Sequence, residues 1–308
     1  MSKINIAVIG VGYLGEFHAQ KYKASRYANL VGIVDKNIKR CDDISRKIGV
    51  ESYNKYRDIL EKVDAVSIVV PTNLHYKIAK YFIENGKHVL IEKPFANNLK
   101  EARELKKLSE KYNVILQIGH LERFNEAFIK MENEVKKPMF IECNRISPFK
   151  IRGTEVDVIM DLMIHDLDII ISLNKSKIKS IQANGINVLT NSIDIAHARI
   201  AFENNCVCNL ASSRISEKVE RKMRVFQKNQ YFSLDYQNSI LESYKKVKKN
   251  NILSIDKYKN KFSSNDSLEN EIESFLKCIK NNQKPIVNAT DGINALQYAL
   301  KISKIINK

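Results

Sequence analysis

A chain of 308 residues exceeds what a single hydrophobic core usually fills, so about two domains are expected. Hydrophobic residues at 44%, charged residues at 28%, and only 10 Gly and 5 Pro exclude a disordered, low-complexity or collagen-like chain. Lys and Arg outnumber Asp and Glu by 51 to 35, a net charge of +16, but the excess is mostly lysine spread along the whole chain. A nucleic-acid partner calls for a basic stripe with interleaved aromatics. The nearest candidate, Tyr244 to Lys261, reads as a solvated strand and loop, so no nucleic acid is expected. No run approaches the roughly 18 apolar residues of a membrane helix, and the apolar opening Ile4 to Val11 breaks at glycines with no cleavage-site pattern. A soluble, cytoplasmic protein without a membrane partner is expected. Cys41, Cys143, Cys206, Cys208 and Cys278 form an odd, scattered set whose tightest spacing is C-x-C, which favours reduced thiols.

In chain order, Ile4 to Ile9 reads as a short β-branched strand, followed by a glycine turn and a helix over Leu14 to Lys23. Further strands are expected at Leu30 to Val34, Ala65 to Val70, Val89 to Ile91 and Val114 to Ile118, with helices over Asp42 to Ile48, His75 to Asn85 and Leu99 to Lys111. This alternation over residues 1 to 119 predicts a doubly wound parallel sheet, and near-continuous apolar strands fit a sheet buried on both faces.

The first turn, Gly10-Val11-Gly12-Tyr13-Leu14-Gly15, is a G-x-G-x-x-G between strand and helix. Gly10 permits the tight turn, Gly12 admits a pyrophosphate close to the backbone, and Gly15 lets helix and strand pack closely. The helix N-terminus then offers its amides to the anion. Asp35 stands 20 residues past Gly15, at the end of the second strand, where a carboxylate accepts the ribose hydroxyls and repels the extra phosphate of NADP. NAD is therefore expected over NADP, with Lys36, Lys39 and Arg40 lessening the discrimination. Two more strands run into Pro71-Thr72-Asn73-Leu74-His75 and Glu92-Lys93-Pro94, both aimed at the crevice where open parallel sheets bind ligands. Pro94 restricts Lys93 to extended geometry and so aims its side chain.

Beyond Phe124 the pattern changes. Pro138 to Arg145 reads as a strand and Val156 to Leu173 as a helix; at 100° per residue, Asp161, His165 and Asp168 share an arc of about 60°. The surrounding residues are mostly apolar, so these three groups are expected to pair with each other or with a ligand. Strands follow at Ile178 to Val188, Ile193 to Phe202, Cys206 to Arg214, Arg221 to Gln227 and Tyr231 to Asp235, which predicts a mostly antiparallel open sheet in an α+β domain. Mixed positions such as Ile195, His197, Arg199 and Ala201 suggest that its outer face is covered by another subunit, in a homodimer or homotetramer. Ser267 opens a helical stretch, and Asp291 to Ile306 forms the last helix. The expected domains are residues 1–121, binding NAD, and 122–308, binding substrate and forming the oligomer contact.

Taken together, the glycine turn, Pro71-Thr72 to His75, Glu92-Lys93-Pro94, Gly119-His120 with Arg123-Phe124, Asp161 with His165, and Ile286 to Gly292 resemble the glucose-fructose oxidoreductase, inositol dehydrogenase and rhizopine-catabolism (Gfo/Idh/MocA) family. The resemblance covers essentially the whole chain. It implies that Gly10, Gly12, Tyr13, Leu14, Gly15, Asp35, Pro71, Thr72, Asn73, His75, Glu92, Lys93 and Pro94 bind the cofactor, and that Arg123, Asp161, His165 and Asp168 bind a sugar or nucleotide-sugar substrate. It implies further that Lys93 contacts both the nicotinamide end and the substrate hydroxyl, and that Asp161 and His165 form the Asp-x-x-x-His pair in which the imidazole exchanges a proton. Val158, Ile159 and Met163 replace glycines common in this segment, and Glu126 stands where a proline is frequent.

The chemistry so implied is reversible oxidation of an alcohol to a ketone. Lys93 and the imidazole of His165, whose ordinary pKa of about 6.5 suits proton transfer near neutrality, are the two acceptors open for the hydroxyl proton. No metal is invoked, for want of an aligned ligand set. Met160 to Asp168, Ala211 to Arg214 and Arg221 to Gln227 look like the bacterial branch that oxidises the 3-hydroxyl of UDP-N-acetylglucosamine, whose ketone is transaminated for amino-sugar lipid A. A diphosphate would give Arg145, Arg152, Arg214 and Arg221 a purpose, although surface ion pairing would occupy them equally. Rival readings are a dehydrogenase of a free sugar or inositol, a biliverdin-reductase-like enzyme, and a non-catalytic NAD-sensing regulator. Asp35 and the polar helix argue against the second, and retention of Lys93 and His165 against the third.

Overall fold

The computed structural model describes residues 3–150, 156–249, 252–262 and 266–308. Two compact units emerge, Met1–Leu121 with Leu268–Ile293, and Glu122–Ser267 with Asn294–Lys308. Beside the expected cut after residue 121, the segment Leu268–Ile293 groups with the first unit. The reason is packing. Helix α7 (Ser267–Asn281) buries Leu268, Ile272, Phe275 and Leu276 in the same core as Ile6, Val8, Tyr22 and Leu30.

In the first unit, β1 (Ile4–Ile9), α1 (Tyr13–Ala24), β2 (Ala28–Val34), α2 (Ile38–Ile48), β3 (Ser52–Tyr53), β4 (Ala65–Ile68), α3 (Thr72–Glu84), β5 (His88–Glu92), α4 (Leu99–Lys111) and β6 (Leu116–Gly119) alternate as expected. Their sheet runs β3-β2-β1-β4-β5-β6, all parallel, as in dinucleotide-binding folds. All four residues of β4 are buried, which explains a strand with no polar alternation. Asn37 and Asn98 cap α2 and α4 by accepting the amides of Arg40 and Glu101, and Gly49 ends α2 in the left-handed region.

The second unit holds α5 (Glu126–Glu134), β7 (Pro138–Ile146), α6 (Ile164–Leu173), β8 (Ile178–Ile186), β9 (Ile195–Phe202), β10 (Val207–Ser213), β11 (Glu220–Gln227), β12 (Gln230–Asp235), β13 (Ile240–Lys249), β14 (Ile252–Lys261) and the larger part of α8 (Ala289–Ile306). Its eight strands run β14-β13-β12-β11-β7-β10-β9-β8, antiparallel except for β7 with β10. The inner face packs Ile141, Cys143, Ile200, Cys208, Leu210, Met223 and Val225 against Ile164, Leu167 and Ile170 of α6. Tyr244 to Lys261, expected as strand and loop, instead spans most of the β13–β14 hairpin. Among the described residues no helix is long and apolar enough to cross a membrane.

Candidate active site

The glycine turn is built as its spacing requires. Gly10 has φ +90°, and a Cβ there would lie 2.6 Å from the Val69 carbonyl oxygen. A Cβ on Gly15 would lie 1.9 Å from the Gly10 carbonyl oxygen, so α1 sits on β1 at a distance only glycine permits. A Cβ on Gly12 would meet nothing within 4 Å. That open space faces a turn followed directly by the first residues of α1, Tyr13 and Leu14, with Tyr13 64% exposed. Open backbone before a helix N-terminus fits a dinucleotide pyrophosphate. At the neighbouring strand end, Asp35 accepts the amides of Val11 (2.8 Å) and Asn37 (2.9 Å), while Arg40 Nε donates to the Val11 carbonyl (2.7 Å).

The carboxyl ends of β4, β5 and β6 lie along the same sheet edge and carry Pro71, Lys93 and His120. Pro71 caps α3, with Thr72 and Asn73 in its first turn; Asn73 is exposed and Thr72 half-buried. Lys93 is half-buried and joined to Pro94 by a cis peptide bond. His75 and Glu92, expected among the cofactor contacts, are both buried, 1% and 7% exposed. His75 ties two loops together, its Nδ1 2.9 Å from the Pro94 carbonyl and its Nε2 2.8 Å from that of Val70. Burial pushes this imidazole below its ordinary range, against the pull of the two carbonyls. Glu92 is engaged by His18, whose Nε2 lies 3.1 Å from Oε1, and accepts the amide of Lys93 at 3.2 Å.

In the second unit the expected helix begins with a π-turn over Ile159–Met163 before α6. The wider turn displaces Asp161 from the azimuth that uniform 100° steps assign it, so the arc shared with His165 and Asp168 is not the α-helical one. Asp157 starts the turn, accepting the Met160 amide at 2.8 Å and the Ser303 hydroxyl at 2.6 Å. Asp161 and His165 are half-buried, whereas Asp168 is 3% exposed. Arg123 and Asp168 are brought together, Nη1 to Oδ2 at 3.8 Å, too far for a hydrogen bond. Arg123 Nε and Nη1 and Asp168 Oδ2 are buried with no hydrogen-bond partner among the described residues. Burial pushes the Asp168 carboxyl up to about 6, with the Arg123 guanidinium opposing.

Two of the arginines considered for a diphosphate are consumed internally. Arg145 pairs with Asp166 through Nε (3.1 Å) and Nη2 (2.9 Å) and with Glu122 through Nη1 (2.7 Å), all within the interior. Against burial, these carboxylates hold Arg145 well above its ordinary range. Arg214 donates to Asp194 (2.8 Å) and to the Val156 carbonyl (2.7 Å). Arg221 is exposed, and Arg152 lies outside the described residues. The Arg145 cluster escapes a reading by residue type but not by parity, because Arg145 alternates with Ile141 and Cys143 on the inner face of β7.

Sequence comparison agrees with this architecture. The family model described as oxidoreductase family, NAD-binding Rossmann fold, matches residues 4–120, and its companion, oxidoreductase family, C-terminal alpha/beta domain, matches 150–302. UDP-N-acetylglucosamine 3-dehydrogenase of Acidithiobacillus ferrooxidans is 34% identical over 306 residues, covering 98% of this chain and 97% of that protein. Its solved structure superposes with a TM-score of 0.92 over 99% of this chain and 98% of that one. The NAD-dependent scyllo-inositol 2-dehydrogenase of Bacillus subtilis is 26% identical, with 97% and 92% coverage. The scyllo-inositol dehydrogenase of Lactobacillus casei with bound NAD(H) and scyllo-inositol, at 19% identity and TM-score 0.83, shares the fold over 99% of this chain and 97% of that one. With both halves matched and the dinucleotide turn intact, the chain belongs to the Gfo/Idh/MocA family of NAD-binding oxidoreductases.

Proposed function

We propose that this oxidoreductase removes hydride from the carbon bearing the 3-hydroxyl of UDP-N-acetylglucosamine or a closely related nucleotide sugar, in the cytoplasm, with NAD in preference to NADP. The observation that carries the reading is 34% identity, spread over nearly the full length of both chains, to an enzyme named for that reaction. NAD, when bound, supplies the hydride acceptor. Gly10, Gly12 and Gly15 with the first turn of α1 hold its pyrophosphate, and Asp35 holds the ribose hydroxyls. Lys93, as a cation, stabilises the developing alkoxide, and the imidazole of His165 takes the hydroxyl proton. Asp161 orients that imidazole or anchors a neighbouring hydroxyl, and Arg123 and Asp168 hold the sugar. The ketone then suits an aminotransferase, as in the making of amino-sugar lipid A.

A second reading, oxidation of a free inositol or sugar, is favoured by the 26% identity to an inositol dehydrogenase. Incubation with NAD and a panel of UDP-N-acetylglucosamine, free N-acetylglucosamine, scyllo-inositol and myo-inositol separates the two, followed at the reduced-nicotinamide absorbance with an aminotransferase and glutamate drawing off ketone. Turnover of the UDP sugar alone supports the first reading. Turnover of unphosphorylated polyols that UDP does not inhibit replaces it with the second, and NAD binding without any turnover would leave a regulator.

The outer face of the second sheet is read as the contact of a homodimer or homotetramer. It carries a row of rings, Phe140, Phe226, Tyr231 and Tyr244, with successive centroids 6.0, 4.9 and 5.5 Å apart. Rings of this kind are favoured at protein interfaces. A monomer by light scattering at micromolar concentration contradicts this.

A further inference from the structure

Three ionisable side chains meet inside the first unit, where the proposed hydride chemistry does not use them directly. His18 of α1, Glu92 at the end of β5 and Glu271 of α7 are 0%, 7% and 0% exposed, and one ligand atom from each lies within 4.8 Å of the others. The His18 imidazole is held on both sides, Nδ1 2.9 Å from Ser67 Oγ and Nε2 3.1 Å from Glu92 Oε1. The second Glu92 oxygen accepts the backbone N–H of Lys93. Glu92 is also boxed from behind, since a Cβ on Gly119 would lie 3.0 Å from its Oε1.

Glu271 is different. Gln117 Nε2 donates to its backbone carbonyl at 3.1 Å, but both carboxyl oxygens are buried without a hydrogen-bond partner among the described residues. The titratable groups facing it are His18 and Tyr22 from α1 and Glu92 from β5. Two ionised carboxylates sealed beside one imidazole would repel each other in a medium that screens poorly. Burial, and then the charge on Glu92, push the Glu271 carboxyl well above its ordinary range. A neutral acid at this point has a use, because its O–H can donate to the Glu92 carboxylate directly after a small side-chain adjustment or through one bridging water. That bond would leave Glu92 held from α1, α7 and its own strand.

We propose that Glu271 is a positioning residue: it carries a proton in the folded chain and, with His18, fixes the Glu92 carboxylate and thereby the backbone that presents Lys93. This rests on the reading that Lys93 serves the reaction. A cation bridging the same three side chains is the competing account, and the two differ in what glutamine does at position 271. Glutamine keeps the shape and a donor, whereas it is a poor ligand for a metal that binds carboxylate and imidazole.

The test uses the full-length enzyme with NAD and the sugar that it turns over. Glu271→Gln is expected to keep kcat within about threefold, whereas Glu271→Leu lowers it about 10- to 100-fold while KM for the sugar moves less than about twofold. The infrared spectrum of the wild type at neutral pH is expected to contain a protonated-carboxyl stretch that Glu271→Gln lacks, a readout that survives if the leucine variant does not fold. Absence of that band, or Glu271→Gln as damaging as Glu271→Leu, overturns the proposal. So does one equivalent of tightly bound metal that is lost from Glu271→Gln. Lys93→Met is run beside them. If it retains full turnover the Lys93 reading fails, and the infrared band then still reports on the proton separately.

Discussion

The carboxylate of Asp35 accepts the backbone N–H of Val11 at 2.8 Å, so the end of β2 is bonded directly into the glycine turn that follows β1. Its other oxygen accepts the Asn37 amide, which leaves Asp35 oriented before any nucleotide arrives. Asp35→Ala removes both acceptors. The expected result is a rise of about tenfold or more in KM for NAD and a comparable fall in the NAD-to-NADP ratio of kcat/KM. Steady-state kinetics with both dinucleotides checks it, and an unchanged ratio contradicts the assigned role.

Gly15→Ala places a methyl 1.9 Å from the Gly10 carbonyl oxygen, which belongs to backbone and cannot swing aside. A loss of about 3 kcal/mol or more in stability, together with weakened NAD binding, is expected. Gly12→Ala meets no protein atom, so it should leave stability within about 0.5 kcal/mol while still weakening NAD. Denaturant titration alongside cofactor titration separates the two glycines.

Lys93→Met should lower kcat by about 10²- to 10⁴-fold with NAD affinity held within about threefold. Cofactor affinity is read by titration calorimetry and turnover by absorbance. Full activity in this variant removes the lysine from the mechanism.

Arg145→Met leaves the buried Asp166 and the partly buried Glu122 without their cation. A loss of about 3–5 kcal/mol is expected, and adding Asp166→Asn and Glu122→Gln should recover much of it. A triple variant no more stable than the single one contradicts the ion-pair account.

Asp168 gives a pH dependence of definite sign. Its folded pKa of about 6 stands above the ordinary 3.8, so the fold favours the protonated acid. The stabilisation linked to that proton is complete below about pH 4 and disappears as pH rises through about 6. Across that window the wild type should lose about 3 kcal/mol relative to Asp168→Asn. Urea unfolding of both proteins at pH 4 and pH 7 measures the difference, and parallel profiles contradict it.

Much of the first unit could be read from its amino acids because its signals are local. Glycines at Gly10, Gly12 and Gly15 and the fully buried, mostly apolar β4 each report on their own few residues. Hidden from such a reading were relationships between residues far apart in the chain. His18 meets Glu92 across 74 positions, and Gln117 meets the Glu271 backbone across 154, so neither spacing carries a periodic mark. Glu92 and His75, which the family resemblance places at the cofactor, are both buried, and their partners in the fold carry no mark in the sequence. The π-turn at Ile159–Met163 was equally invisible, since periodicity assumes uniform winding. Arg145, considered for a diphosphate or for surface pairing, is buried, although the alternation of β7 places it on the inner face with Ile141 and Cys143.

Because α7 fills the core beneath β1 and β2, the nucleotide-binding half cannot finish folding when its own strands leave the ribosome. It must wait, with Tyr22 and Leu30 incompletely covered, through the synthesis of nearly 150 intervening residues. An excised fragment ending at residue 121 would keep that defect permanently and should aggregate, whereas the same fragment supplied in trans with residues 266–293 has the pieces of a complete core.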